Sequence, residues 1–361
     1  MKKSLGIATV CTLVATLAHA QSSVTLFGLV DAGVTFVNNE GGKHNTFFDS
    51  GIWIPNLLGF TGAEDLGGGT TAIFKLVNQF DLGSGKTLPS GDELFGRTAY
   101  VGLKNDRLGT LTFGNHYDFM NEELLAFDQS DYTGGFYNFR QGPFTALGIP
   151  NNPTGSWDFD RVAGTARVAN SVRYMSPEWS GLSMGALYGF SNLAGAFSTG
   201  NTMSFSANYN RGAFSLGAAY TDVKYLQINN GHDGIRNWGL GARYNSGSVL
   251  ANVLYTNTKN TFTGGAVNMI QVGANWHFTP AWAIGGAYEY MKGNAQLTNN
   301  WANQFEAMLS YALSKRTTVG LEAMYQRAGG DEAQTSAWMN GLSPSSTNSQ
   351  MLTRIGMTTS F

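Results

Sequence analysis

Apolar and polar side chains alternate along this chain with a period of two, and the pattern returns at intervals of about a strand and a turn. Leu182, Met184, Ala186, Tyr188 and Phe190 share a face opposite Ser183, Gly185 and Gly189, and Met203, Phe205, Ala207 and Tyr209 oppose Ser204, Ser206 and Asn208. The same alternation runs through 214–220, 238–244, 249–255, 270–278, 284–290, 305–311 and 319–325. It recurs in 351–361, where Met351, Ile355, Met357 and Phe361 lie opposite Arg354, Gly356, Thr358 and Ser360. Each stretch reads as a strand with one apolar face. Tyrosine and tryptophan mark strand ends repeatedly, as the aromatic girdles of a membrane barrel would require. A secreted soluble solenoid or sandwich, the competing fold, would scatter its aromatics through a core.

The connections alternate between short and long. Tight turns are expected at 64–69, 105–109, 176–181, 210–212, 245–247, 279–281 and 314–316, all rich in Gly, Pro, Asn, Asp or Ser. Longer loops are expected at 38–52, 82–92, 118–166, 192–200, 225–234, 259–265, 293–301 and 328–350. Seven turns and eight loops join 16 strands. The fold class is therefore all-β: a transmembrane antiparallel barrel with both termini on one side and no open edge. About 16 strands leave a water-filled lumen, whereas about 8 would fill with side chains.

The amino-terminal segment sets the compartment. Met1-Lys2-Lys3, an apolar run from Leu5 to Ala18 and the small-x-small site Ala18-His19-Ala20 predict a secretory signal, 1–20, ahead of a barrel domain over 21–361. Loss of Lys2 and Lys3 takes the formal charge from −2 to −4, which gives no reason to expect a nucleic-acid partner. The single cysteine, Cys11, falls in the expected signal, so neither a disulfide nor a Cys-based metal site is expected in the remainder. With 47 glycines and only 13% charged residues, the composition fits neither an ordinary soluble enzyme nor a disordered chain.

One loop stands apart. Segment 118–166 carries Phe119, Leu124, Leu125, Phe127, Phe136, Tyr137, Phe144, Trp157 and Phe159, too many apolar groups for a chain free in water. Folded into the lumen as loop 3, it would narrow the pore and set Asp118, Glu122, Glu123, Asp128 and Asp131 at the constriction. As an extracellular flap, the alternative, it would carry charges that are merely solvated.

Several blocks in order, 24–33, 62–69 (Gly62-Ala63-Glu64-Asp65 onward), 95–103 (Phe95-Gly96-Arg97 onward), 170–177 and Gly189-Phe190-Ser191-Asn192, resemble the general porins of Gram-negative bacteria, β-proteobacterial type. The resemblance spans essentially the whole chain after the signal. It implies a homotrimer of 16-stranded barrels in the outer membrane, surrounded by lipid and lipopolysaccharide. It also implies passage of ions and small hydrophilic solutes through a constriction made by loop 3 and a basic wall. Phe361 resembles the family's signal to the outer-membrane assembly machinery. Arg97 and Arg167 match wall positions of the family, and Arg173 faces inward on parity. Arg97 has the parity of Ala99, Val101 and Leu103, so its placement in the lumen rests on the resemblance and on the cost of a guanidinium in lipid, about 2–4 kcal/mol. Leu57 stands where the family carries another arginine, Thr61 where it carries a lysine, and Asn115-His116 where many members read Arg-Gln.

With the basic side thinned and seven acids in loop 3 against Arg140 and Arg161, focusing of the field in a narrow opening predicts a weak cation preference. Parity places Asp31, Lys75, Arg243, Glu289, Glu306, Glu322 and Arg354 on the same wall, where they are expected to be solvated. Two other functions stay open on the sequence. A substrate-specific channel for aromatic or carboxylate solutes would use the aromatic loop 3. An outer-membrane enzyme has little support, since His44, His116, His232 and His277 are scattered and neither a metal-ligand spacing, a nucleophile elbow nor a cofactor motif is present.

Overall fold

A computed structural model describes residues 23–88 and 93–361; the expected signal segment lies outside them. In chain order the strands are β1 (Ser23–Glu40), β2 (Lys43–Ser50), β3 (Leu57–Gly67), β4 (Thr70–Phe80), β5 (Thr87–Leu88), β6 (Thr98–Asn105), β7 (Gly109–His116), β8 (Val168–Met175) and β9 (Leu182–Gly189). They continue as β10 (Thr202–Arg211), β11 (Phe214–Lys224), β12 (Gly234–Asn245), β13 (Val249–Asn260), β14 (Ala266–His277), β15 (Trp282–Gly293), β16 (Trp301–Ala312), β17 (Thr317–Gly329) and β18 (Ser349–Ser360). All belong to one antiparallel sheet that closes on itself where β1 pairs with β18, from Leu29 opposite Ser360 to Val37 opposite Leu352. Segments β2 and β3 both pair with β1 and form two halves of one wall strand, while the two-residue β5 pairs with the end of β4. The 18 segments among the described residues thus make a wall of 16 strands.

The apolar face of the alternation points outward. Leu26, Val101, Leu216, Leu321 and Ile355 are exposed, Ile355 by 64%, and these exposed side chains recur on strand after strand. A continuous apolar belt of this kind is stable against lipid and not against water. Aromatic pairs such as Phe214–Tyr244, Trp282–Tyr311 and Tyr288–Phe305 join neighbouring strands on that face. Phe361 completes the seam. Its N–H donates to the Gly28 carbonyl and its carbonyl accepts from the Gly28 N–H, both at 3.0 Å, and its ring lies over Gly28, where any β-carbon would collide with it.

Of the loop expected at 82–92, residues 89–92 lie outside the described residues; the seven tight turns and six of the other seven loops fall where expected. The first loop does not. In place of a loop over 38–52, β1 runs to Glu40 and returns through the two-residue turn Gly41-Gly42, both with positive φ, directly into β2. Two glycines in succession make the tight hairpin that the right-handed twist of the strands favours. The irregularity has moved to 51–56, where Gly51 at φ +72° and Pro55 interrupt the ladder. Asp31 on β1 stitches the gap: its Oδ1 accepts from the Ile52 N–H at 2.7 Å, and its own N–H donates to the Asn56 side-chain carbonyl at 2.7 Å.

Candidate functional site

Segment 117–167, between β7 and β8, packs against wall residues whose parity is opposite to the exposed apolar set. Asp118 starts it by capping helix α1 (Phe119–Leu124), its carboxylate accepting from the Met120 N–H at 2.9 Å. Glycines on the wall provide the seats. A β-carbon on Gly185 of β9 would strike the Phe119 ring, one on Gly239 of β12 the Leu124 side chain, and one on either Gly217 of β11 or Gly241 of β12 the Phe127 ring. Gly217 and Gly241 lie directly opposite each other, so two neighbouring strands are bare of side chains beneath one aromatic ring. Farther along, Gly273 of β14 and Gly285 of β15 leave room for Gln129 and Thr133. Phe119, Met120, Leu124, Phe127, Phe144 and Phe159 are thereby buried in one apolar cluster. The sequence showed these glycines as spacers in an alternating pattern. What each one faces depended on the fold of a distant segment.

The acids expected at the constriction divide into two groups. Asp118 is buried against the Arg161 guanidinium at 2.5 Å. Asp128 is buried against Arg140, which also meets Asp160 at 2.9 Å and Glu289 at 3.5 Å. Neither Asp118 nor Asp128 borders open water, which corrects the expectation for both. A carboxylate stripped of water needs a partner, and the two arginines of the segment supply one. Glu123 turns to the wall, accepting from Asn208 Nδ2 at 2.9 Å. Glu122 and Asp131 alone of the five are exposed. Protein surrounds both on most sides, and the partial loss of hydration pushes both carboxyls up, Asp131 to about 6 with Asp128 adding to the shift and Arg243 opposing it.

Beside them stand cations of the wall. Arg173 of β8 bridges to Glu122 at 2.9 Å while its guanidinium lies 5.3 Å from the centre of the Phe119 ring. Lys75 of β4 is close enough to Glu122 to oppose the rise in its pKa. Arg243 of β12 donates to Tyr132 Oη at 2.8 Å and to the Ala126 carbonyl at 3.1 Å. Arg97 and Arg167 flank the Tyr117 ring, 5.4 and 4.7 Å from its centre, where the chain leaves β7. Arg97 donates to Gln79 of β4 at 2.5 Å, so its guanidinium turns away from the outward parity of its position, just ahead of the first residue of β6. Arg167 donates to the Thr165 carbonyl and to Tyr117 Oη.

The remaining wall charges correct a second expectation. Asp31, Glu289, Glu306, Glu322 and Arg354 have inward parity but are buried, not solvated. Arg354 pairs with Asp31 and Asp49 at 2.8 and 2.9 Å, beneath the Trp53 ring at 4.5 Å, and Trp53 donates in turn to Glu322 at 2.5 Å. Lys75 and Arg243, which parity placed on the same wall as background, are the ones left facing the acids. Parity reports which side of the wall a residue faces and carries no information on its height along the barrel axis.

The profile of a family described as Gram-negative porin matches residues 8–331. Outer membrane porin protein 32 of Delftia acidovorans is 30% identical over 359 residues, covering 92% of this chain and 96% of the relative. An outer membrane porin protein of Bordetella pertussis is 28% identical over 293 residues, 73% and 71% of the two chains. Among solved structures, an anion-selective porin from Comamonas acidovorans superposes with a TM-score of 0.77 at 22% identity, over 94% of this chain and all of the other. The trimer form of an outer membrane protein of Vibrio cholerae gives 0.67 at 14% identity, over 94% and 99%. With the closed 16-stranded wall and its lipid-facing belt, these matches place the chain in the Gram-negative porin family, as a β-barrel of the outer membrane.

Proposed function

We propose that the chain forms a water-filled pore for passive diffusion of ions and small hydrophilic solutes, and that segment 118–166 lies in the lumen and makes its constriction. Glu122 and Asp131 form one side of that constriction; Lys75, Arg173 and Arg243 form the other, with Arg97 and Arg167 above them. The observation that carries this reading is the Arg173–Glu122 bridge, which ties the segment directly to the inward face of β8. The wall glycines support it, since an outer flap would have no use for bare seats on inward-facing positions.

The constriction favours anions weakly. The sequence argument for cations counted seven loop acids, but Asp118, Asp128 and Asp160 are buried in ion pairs with Arg161 and Arg140, and Asp158 is buried as well, so none of the four faces the water. The two exposed acids have raised pKa values, and the three cations beside them, Lys75, Arg173 and Arg243, outnumber them. The similar porin from Comamonas acidovorans is itself named as anion-selective. Reversal potentials across a KCl gradient test this: a potential of anion sign is expected, and one of cation sign at neutral pH contradicts it. We further place the pore in a homotrimer within lipid and lipopolysaccharide, after removal of 1–20, with Phe361 presented to the assembly machinery.

A substrate-specific channel is the second reading. A cavity of about 810 Å³, lined in part by Phe95, Ile149, Trp157, Arg161 and Arg167, could hold an aromatic carboxylate at the outer mouth. Uptake into liposomes separates the two, since a diffusion pore sorts by size without saturating and a specific one saturates.

A further inference from the structure

The outward face of the wall is apolar along most of each strand, but at the loop ends of β11 to β17 it turns basic. Arg236 shares the parity of Trp238 and Leu240, and Lys259 that of Val253 and Tyr255. Lys224, Lys292 and Arg327 stand in the same relation to Tyr220, Tyr290 and Tyr325. Each of these cations lies two or four residues beyond a ring of the aromatic girdle, on the side of the long loops. At the turn ends of the same strands the outward positions Phe214, Tyr244, Val249, Trp276, Trp282, Tyr311 and Thr317 carry no charge. The cations therefore border one leaflet only.

Arg236 and Lys259 stand directly opposite each other on β12 and β13. Like charges so placed repel and weaken the strand pair that carries them, unless an anion lies over both. The protein supplies none. Among the described residues, no carboxylate lies within ion-pair distance of Lys224, Arg236, Lys259, Lys292 or Arg327. Asp222, the acid with outward parity in this band, faces Arg236 from β11 and feels both Arg236 and Lys224 without an ion pair to either. Asp233, in the loop before β12, accepts from Asn229 at 2.7 Å and Thr261 at 2.9 Å. Just below the pair, the Trp238 and Tyr255 rings pack 5.3 Å apart, and their polar tips donate to Asn257 at 3.1 Å and Asn268 at 2.6 Å. Amphipathic rings of this kind settle at the boundary between acyl chains and head groups, so the cations beyond them stand at the depth of lipid phosphates.

We propose that Arg236 and Lys259, with Lys224 beside them, form a docking site for a phosphate of an outer-leaflet glycolipid, and that Lys292 and Arg327 extend it along the rim. The phosphate relieves the repulsion between the opposed cations, so the lipid completes this part of the wall. The inference rests on the outer-membrane placement with the long loops outward, and not on the position of loop 3.

The test compares the refolded wild type with the double variant Arg236→Gln, Lys259→Gln in a zwitterionic detergent, alone and with lipid A that carries or lacks its phosphates. Unfolding midpoints and lipid retention in native mass spectra are read. In detergent alone the variant should melt at or above the wild type, because the repulsion is gone. With phosphorylated lipid A the order should reverse, and the variant should bind that lipid roughly 30-fold more weakly, about fivefold for each cation near an anionic surface. Lipid A without phosphates should not discriminate between them. Lys259→Gln alone should lose about fivefold and decides the matter if the double variant does not refold. Equal gain of both proteins from phosphorylated lipid A overturns the site, and so does a reversal that inorganic phosphate reproduces. A variant that melts below the wild type in every condition also overturns it. Ala194→Cys, in the exposed loop after β9, keeps the underlying placement separate when whole cells are labelled with an impermeant thiol reagent. A labelled loop without discrimination by phosphate sinks the site alone, whereas an unlabelled loop sinks the outward placement with it.

Discussion

Gly241→Val places a branched side chain where the Phe127 ring now rests. A β-carbon there would lie within 3.0 Å of three Phe127 atoms, so the ring must leave its seat. The wall itself gains, since valine is favoured over glycine in a strand, and the outward side chains of β12 are untouched. Phe127 is only 1% exposed, and losing its burial removes about 2–4 kcal/mol from the docking of loop 3. At about 1.4 kcal/mol per tenfold, the undocked population of this stretch rises roughly 30- to 700-fold. Phe119, Leu124 and the Arg140 ion pairs still hold its flanks, so local opening is expected in place of release. Limited proteolysis should then cut near 125–133 while the refolded barrel keeps its thermal midpoint, and single-channel current should become noisier. Adding Phe127→Ala frees the space, so the double variant should be damaged less than the sum of the singles by about 0.5–3 kcal/mol. Unchanged protease protection and quiet current in Gly241→Val, or plain additivity, would refute the seating of Phe127 on the inner wall.

Three further outcomes follow from the same contacts. Because Asp131 titrates near 6, its negative charge is lost as pH falls through that value, so anion preference should grow between about pH 8 and pH 5; Asp131→Asn should flatten most of that dependence in reversal-potential measurements. Arg140→Leu strands Asp128, Asp160 and Glu289 without their cation and should cost about 3–5 kcal/mol, read as a lower unfolding midpoint. Phe361→Ala removes a ring that is 57% exposed, so refolded protein should lose no more than about 1 kcal/mol; a role in assembly predicts instead a sharp fall in the amount recovered from the outer membrane, with the refolded channel's conductance intact.

The wall was legible because lipid and water impose a period of two on every strand, and turns impose Gly, Asn and Pro between them. Loop 1 was misread because Gly41-Gly42 and Gly51 to Pro55 both look like loop chemistry. Only pairing with β1 shows that one is a hairpin and the other a break within a strand. The candidate site was half legible. Composition predicted that an aromatic-rich loop packs against the rest of the protein, and parity put Arg173, Lys75 and Arg243 on the inward face of the wall. The partners of Asp118 and Asp128 lie 43 and 12 residues away in sequence, at Arg161 and Arg140, and which acids are neutralised depends on contacts that no local pattern encodes. The opposed cations were hidden for a similar reason. Arg236 and Lys259 lie on different strands and come face to face only through register.

The proposal that Glu122, bridged to Arg173, borders the water path is tested most directly by Glu122→Cys. The only cysteine of the sequence is Cys11, within the expected signal, so residue 122 would be the sole thiol of the processed chain. Single-channel recording during addition of a bulky, water-soluble thiol reagent should show a stepwise loss of most of the conductance in each pore, reversed by reductant. A thiol that reacts fully while the conductance stays unchanged would put loop 3 outside the path and contradict the account.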